Sequence, residues 1–220
     1  MSAVRSLTTQ PVATAACKAV VQRCNTEALP KAWPSLQVLA LFRASEPQAT
    51  EALGRAAARR LTRQVFREQV GDGPVAQSLD LPGHVRGAQS QSISHEATIS
   101  LLAWCSAGAI GVDLVTLDSL ACACQDELVA TAKLYLGHDA AKGVAAAAHA
   151  SEARTCFAVL WASMEAKLKC LGMELDEWHR TRAQILASVS SVRVNAVDAS
   201  GKACADWVGS VAWRAERQAC

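Results

Sequence analysis

Two short segments, Ile110-Gly111-Val112-Asp113-Leu114-Val115 and Trp161-Ala162-Ser163-Met164-Glu165-Ala166-Lys167-Leu168-Lys169, each set one carboxylate inside largely apolar sequence. A buried carboxylate is costly unless a cation or a hydrogen-bond donor meets it. A fold that accepts both must supply such partners, and a shared divalent metal is one way to do so. Length does not stand in the way: 220 residues with 51% hydrophobic content suffice for one large domain or two small ones.

The first segment reads as a strand in which Ile110, Val112 and Leu114 face one way and Gly111, Asp113 and Val115 the other. Asp113 then projects beside a glycine, which leaves room for a ligand. The competing account is an aspartate at a strand end, capping a turn. The second segment lies in a helix from Glu152 to Leu171, closed by Gly172, whose core stripe is Phe157, Leu160, Trp161, Met164, Leu168 and Leu171. Glu165 follows Trp161 by one turn and Lys169 follows Glu165 by one turn, so the three share a column at the stripe's edge. An i, i+4 pair on a solvated face, worth ~0.3–0.5 kcal/mol, is the competing account there.

Around these segments, residues 1–34 are alanine-rich with three prolines and read as a short helix or an irregular lead-in. Leu36–Phe42 reads as a buried strand and Thr50–Val70 as a helix with Leu53, Ala57, Leu61 and Val65 on one face. Arg55, Arg59, Arg63 and Arg67 make a basic stripe on the opposite face, from which one or two could reach an anion at the helix start. Thr98–Cys105 and Ile110–Leu114, joined by Ser106-Ala107-Gly108, suggest a hairpin. Asp126–Leu136 and Ala140–Ala148 are expected as helices, and Val189–Val197 and Trp207–Trp213 as closing strands.

This order gives an α+β fold of two similar halves, each a small, mainly antiparallel sheet packed on helices. The divisions are a lead-in over 1–34, an N-terminal half over 35–109 and a C-terminal half over 110–220.

Composition narrows the chemistry. A net charge of +2, from 22 basic and 20 acidic residues, argues for neither a nucleic-acid nor a membrane partner. Nine cysteines without C-x-x-C spacing read as reduced thiols, and no segment has the character of a signal peptide or membrane span, so cytoplasm is the expectation. There is no H-E-x-x-H, G-x-S-x-G, P-loop or dinucleotide glycine pattern. Ser94 and His95 remain, a hydroxyl and an imidazole that can both donate to a phosphate oxygen, or equally serve as turn chemistry.

Taken in order, Ser92-Ile93-Ser94-His95, Ile110-Gly111-Val112-Asp113 and Trp161-x-x-x-Glu165-Ala166-x-x-Lys169 resemble the three motifs of the 4′-phosphopantetheinyl transferase superfamily, in its Sfp-like, pseudo-dimeric group. Gly54-Arg55-Ala56-Ala57-Ala58-Arg59 is similar to a helix that group carries upstream. The resemblance implies transfer of the phosphopantetheine arm of coenzyme A to a serine of an acyl or peptidyl carrier protein, by a monomer. It implies Mg²⁺ held by Asp113 and Glu165, with Glu165 as general base and Lys169 on phosphate oxygens. Ser94, His95 and Arg55 would hold coenzyme A through its 3′-phosphate.

Two positions depart from the family pattern: Val115 stands where a third acid is usual, and Met164 where a lysine is usual. Mg²⁺ accepts two protein ligands and more waters. Met164 fits the core stripe, and its loss of a cation is either compensated elsewhere or marks a relative with weakened catalysis that binds coenzyme A or a carrier protein as regulator or scaffold. A structural α+β protein with only a surface Glu–Lys pair is the remaining alternative.

Overall fold

The computed structural model describes residues 10–14, 17–23, 36–43, 60, 90–96, 99–105, 108–194 and 206–214. The first strands are β1 (Gln10–Thr14), β2 (Cys17–Arg23), β3 (Gln37–Arg43), β4 (Ser90–His95) and β5 (Ile99–Cys105). They form one antiparallel sheet in the order β1-β2-β3-β5-β4. A second antiparallel sheet holds β6 (Ala109–Thr116), β8 (Trp207–Arg214) and β7 (Ser190–Val194), with β8 central. Among the described residues four α-helices follow β6: α1 (Gln125–Tyr135), α2 (His138–Ala145), α3 (Ala150–Leu171) and α4 (Arg180–Ala187). The fold is α+β with antiparallel sheets.

The β6 strand shows why the layers assemble. Its odd and even residues point to opposite faces. Ile110, Val112 and Leu114 join Leu101, Ala103 and Val38 of the first sheet and Val211 of β8 in one core between the two sheets. On the other face Val115 joins Ala158 and Ala162 of α3. The result is sheet on sheet, with α3 covering the second sheet's outer face.

Helix α3 approaches that face through small residues. Ala158, Ala162, Ala166 and Cys170 recur every fourth residue and are all 0% exposed. Gly111 sits against this row, and a Cβ there would run into the Ala166 carbonyl and the Cys170 amide. The glycine therefore admits the helix backbone, which corrects the expectation that its space serves a ligand. Of the expected core stripe, Phe157, Met164 and Leu168 are buried, whereas Leu160, Trp161 and Leu171 are partly exposed. The tightest contact belongs to the small side chains, because backbone approach and not side-chain size sets it. The helix ends where Gly172 turns left-handed (φ 64°) and the Met173 N–H reaches the Leu168 carbonyl at 2.9 Å.

Two further expectations change. Residues 10–23 contain two strands of the first sheet, not a short helix or an irregular lead-in, and Pro11 is tolerated because β1 is an edge strand. Segments β5 and β6 are not a hairpin: β5 pairs with β3 and β4, while β6 pairs with β8. Both strands are buried on both faces, so their composition does not say which neighbour each takes. Helix α4 had no apolar stripe to announce it. The Thr50–Val70 helix, with Arg55, Arg59, Arg63 and Arg67, lies outside the described residues apart from Arg60. No described helix is long and apolar enough to cross a membrane.

Candidate functional site

Strand β4 lies against β6, and the Val112 N–H donates to Ser92 Oγ at 2.9 Å. This bond brings the last residues of β4 beside the middle of β6. Ser94 and Asp113, both 7% exposed, meet there: Ser94 Oγ donates to Asp113 Oδ1 at 2.9 Å. From α3, Lys169 Nζ donates to the same Oδ1 at 2.7 Å and lies 3.4 Å from Ser94 Oγ. Three elements distant in sequence thus converge on one carboxylate oxygen.

Asp113 does not cap a turn, since β6 runs unbroken to Thr116 and pairs Asp113 with Ser210. Lys169 makes its ion pair with Asp113 of the neighbouring sheet, with the two side chains 33% and 10% exposed, and not as a solvated helix pair. Such a charge-assisted contact is shorter and stronger than a neutral one.

Glu165 lies one turn before Lys169 on α3 and opens on the same cleft as Ser94, His95 and Asp113. Burial pushes its carboxyl above the usual range, and the Asp113 charge adds to the rise; Lys169 and Arg182 oppose it. Two carboxylates with a raised proton affinity on one of them mark a place where positive charge is welcome. Among the described residues no cluster of three His, Cys, Asp or Glu side chains is placed to hold a metal. Two carboxylate donors do fit a hard divalent cation that keeps most of its waters, provided Lys169 yields Asp113.

The cleft has a volume of about 380 Å³. Its walls join this polar group to Leu120, Phe157 and Trp161, with Thr131 of α1 contributing a hydroxyl. Trp161 is held in place from two sides: Phe157 stacks on it at 5.4 Å and Tyr135 meets it edge-on at 5.7 Å. His95 Nδ1 is 2.7 Å from Ser100 Oγ, its register partner on β5, which orients the ring.

Of the residues expected at the site, Ser94, His95, Asp113, Glu165 and Lys169 come together, and Arg55 lies outside the described residues. Ser94 has one hydroxyl proton and gives it to Asp113, so it serves a phosphate oxygen only after turning away. Met164 is 7% exposed and Val115 is 7% exposed, so both departures from the family motifs are core residues here.

Sequence reasoning missed two contributors. Glu96 lines the cleft directly after His95, a position its adjacency to the motif could have flagged. Arg182 of α4 is 3% exposed, donates to the Glu174 carbonyl at 2.8 Å and acts electrostatically on Glu165. Nothing in its local sequence distinguishes it from the neighbouring exposed Arg180.

The cysteines whose side chains are described stay outside this chemistry. They are free; Cys105 and Cys170 are buried, and burial pushes the Cys170 thiol up to about 11. A scan against known protein families finds no match for this sequence, and a search of curated proteins finds none either.

Proposed function

We propose that this chain is a cytoplasmic, monomeric 4′-phosphopantetheinyl transferase of the pseudo-dimeric, Sfp-like type, with its two sheets as the related halves. Its reaction moves the phosphopantetheine arm of coenzyme A to a serine of a carrier protein of fatty-acid, polyketide, pigment or nonribosomal-peptide synthesis. One observation carries the reading: residues of three separate motifs, Ser94 and His95, Asp113, and Glu165 with Lys169, line or meet in one cleft.

In the reaction the carrier serine oxygen bonds to the phosphorus next to the pantetheine arm. The bond from that phosphorus to the bridging oxygen breaks, and adenosine 3′,5′-bisphosphate leaves with the electron pair. Glu165 takes the serine proton, directly or through a water; its place in the cleft, and not its basicity beside a metal, suits it to that task. Lys169 offers its ammonium to the phosphate oxygens as charge gathers on the leaving group. His95 and Ser94 hold the 3′-phosphate, with Arg55 assisting. Asp113 and Glu165 would hold Mg²⁺, which supplies Lewis-acid neutralisation of the diphosphate. Leu120, Phe157 and Trp161 give the cleft an apolar wall.

The test is incubation with coenzyme A, Mg²⁺ and a panel of apo carrier proteins, read by mass spectrometry. At least one carrier gains the arm, and Glu165→Gln reduces the rate by at least ~100-fold. A folded protein that modifies no carrier sinks the transferase reading.

Met164 favours a second reading, a relative with weakened catalysis that retains coenzyme A or carrier binding. Because Met164 is 7% exposed, Met164→Lys would bury an ammonium, so restoring the family's lysine is a poor discriminator. Activity of the unmodified protein decides instead. Calorimetry with coenzyme A and with apo carrier proteins separates both readings from a purely structural protein, which would release no binding heat with either.

A further inference from the structure

We propose that Lys169 is the resident counterion of the cation site: Asp113 holds either the Lys169 ammonium or a divalent cation, never both. The identity of the competing cation and its diphosphate ligand rests on the transferase reading; the exchange itself rests on the ion pair.

Asp113 sits in the middle of β6, 7% exposed, where an uncompensated negative charge would be costly. Lys169 Nζ at 2.7 Å compensates it, and Ser94 Oγ occupies the same Oδ1 at 2.9 Å. A dication brought to this carboxylate with the ammonium in place would face a like charge within a few ångström, inside a site that water screens poorly. That repulsion favours the departure of Lys169 as the dication arrives. Its side chain is 33% exposed, so the cleft offers it an exit.

An exit needs an acceptor. Glu165, one turn back on α3, is the nearest carboxylate along the helix, but it is the second donor for the incoming cation. A phosphate-bearing ligand supplies the missing acceptor and frees Asp113 at the same moment. Cation and phosphate ligand then bind as a couple, each raising the other's affinity by the same factor. A lysine at this position serves as a gate against the cation alone and as a contact for the ligand once it arrives.

The experiment is a titration of the protein with Mn²⁺ in the absence of other ligands, with free Mn²⁺ read by electron paramagnetic resonance. Lys169→Met binds Mn²⁺ at least ~5-fold more tightly than the unmodified protein, at the lower end of common coupling factors. The gain disappears in the double variant Lys169→Met, Asp113→Asn, which assigns it to this site. Lys169→Gln, which keeps a donor for Asp113 without the charge, shows the same direction and serves if the Met variant does not fold. Coenzyme A raises Mn²⁺ affinity in the unmodified protein by a larger factor than in Lys169→Met.

Equal or weaker Mn²⁺ binding in the folded Lys169 variants, or no binding in any of the proteins, overturns the proposal. A tighter Lys169→Met site in a protein that neither binds coenzyme A nor modifies a carrier upholds the exchange and removes the transferase reading. Carrier modification together with unchanged Mn²⁺ affinity in Lys169→Met does the reverse.

Discussion

On one face of β6, Ile110, Val112 and Leu114 are at most 3% exposed and join an apolar core shared with the other sheet. On the opposite face, Gly111, Asp113 and Val115 meet α3 through a bare backbone contact, an ion pair and a small apolar cluster. The same strand thus secures itself on one side and carries chemistry on the other. The apolar face is held chiefly by burial, at roughly 25 cal/mol per Å² of apolar surface. The chemical face spends stability to keep two carboxylates where solvent is scarce. Gly111 ties the two together, because the helix that bears Glu165 and Lys169 reaches Asp113 only where the strand has no side chain.

Gly111→Val should break this comparison most severely. Its side chain displaces helix backbone, so the variant loses at least ~3 kcal/mol in urea denaturation and its Asp113–Lys169 contact. A variant as stable as the parent would show that the close approach of α3 is not what positions the site.

Val112→Ala probes the other face, removing two methyl groups from a residue that is 0% exposed. A loss of about 2 kcal/mol is expected, with ligand affinity unchanged in the folded protein. Reduced affinity at equal folding would mean that the two faces are coupled.

Asp113→Ala should destabilise by about 1–2 kcal/mol, since it leaves the Lys169 ammonium without its 2.7 Å partner in a partly buried site. Thermal melts on the folded variant measure it. No change in stability would reduce the pair to surface decoration.

Glu165→Gln should act in the opposite direction. The folded carboxyl has a raised proton affinity, chiefly through burial. Its contribution is therefore fully present below the unfolded value of ~4.3 and is lost as pH rises through the higher folded value. Gln mimics the protonated form, so the variant melts higher than the parent near neutral pH and the difference closes near pH ~4. A variant less stable at neutral pH would mean that Lys169 and Arg182 outweigh burial.

Lys142→Ala supplies the floor of the scale. Its pair with Asp139 is 3.4 Å long with side chains 66% and 99% exposed, and its removal should leave the melting temperature unchanged. A measurable loss there would undermine the contrast between exposed and buried pairs.

Much of the site was legible from spacing. Trp161, Glu165 and Lys169 share a helix column because 3.6 residues make a turn, and Gly111, Asp113 and Val115 share a strand face because side chains alternate. Less legible was what each face meets. Lys169 offered Glu165 as its obvious partner, yet it pairs with Asp113 on a strand 56 residues away. Gly111 offered space for a ligand, yet that space holds helix backbone. Met164 was ambiguous between a lost cation and a core residue, and its burial shows the core role. Strand β2 escaped notice because an alanine-rich stretch has weak periodicity, and α4 because it buries little apart from Arg182.

Periodicity, capping and turn chemistry act over a few residues, so the chain alone specifies α3, its glycine stop, the alternation of β6 and the presence of two carboxylates in apolar surroundings. Sheet membership, the meeting of β4 with β6 and the choice of Asp113 as the lysine's partner depend on contacts between segments far apart in sequence. Those contacts form only when whole apolar faces are matched and buried together. Long-range packing therefore turned a set of isolated polar residues into one charged cleft.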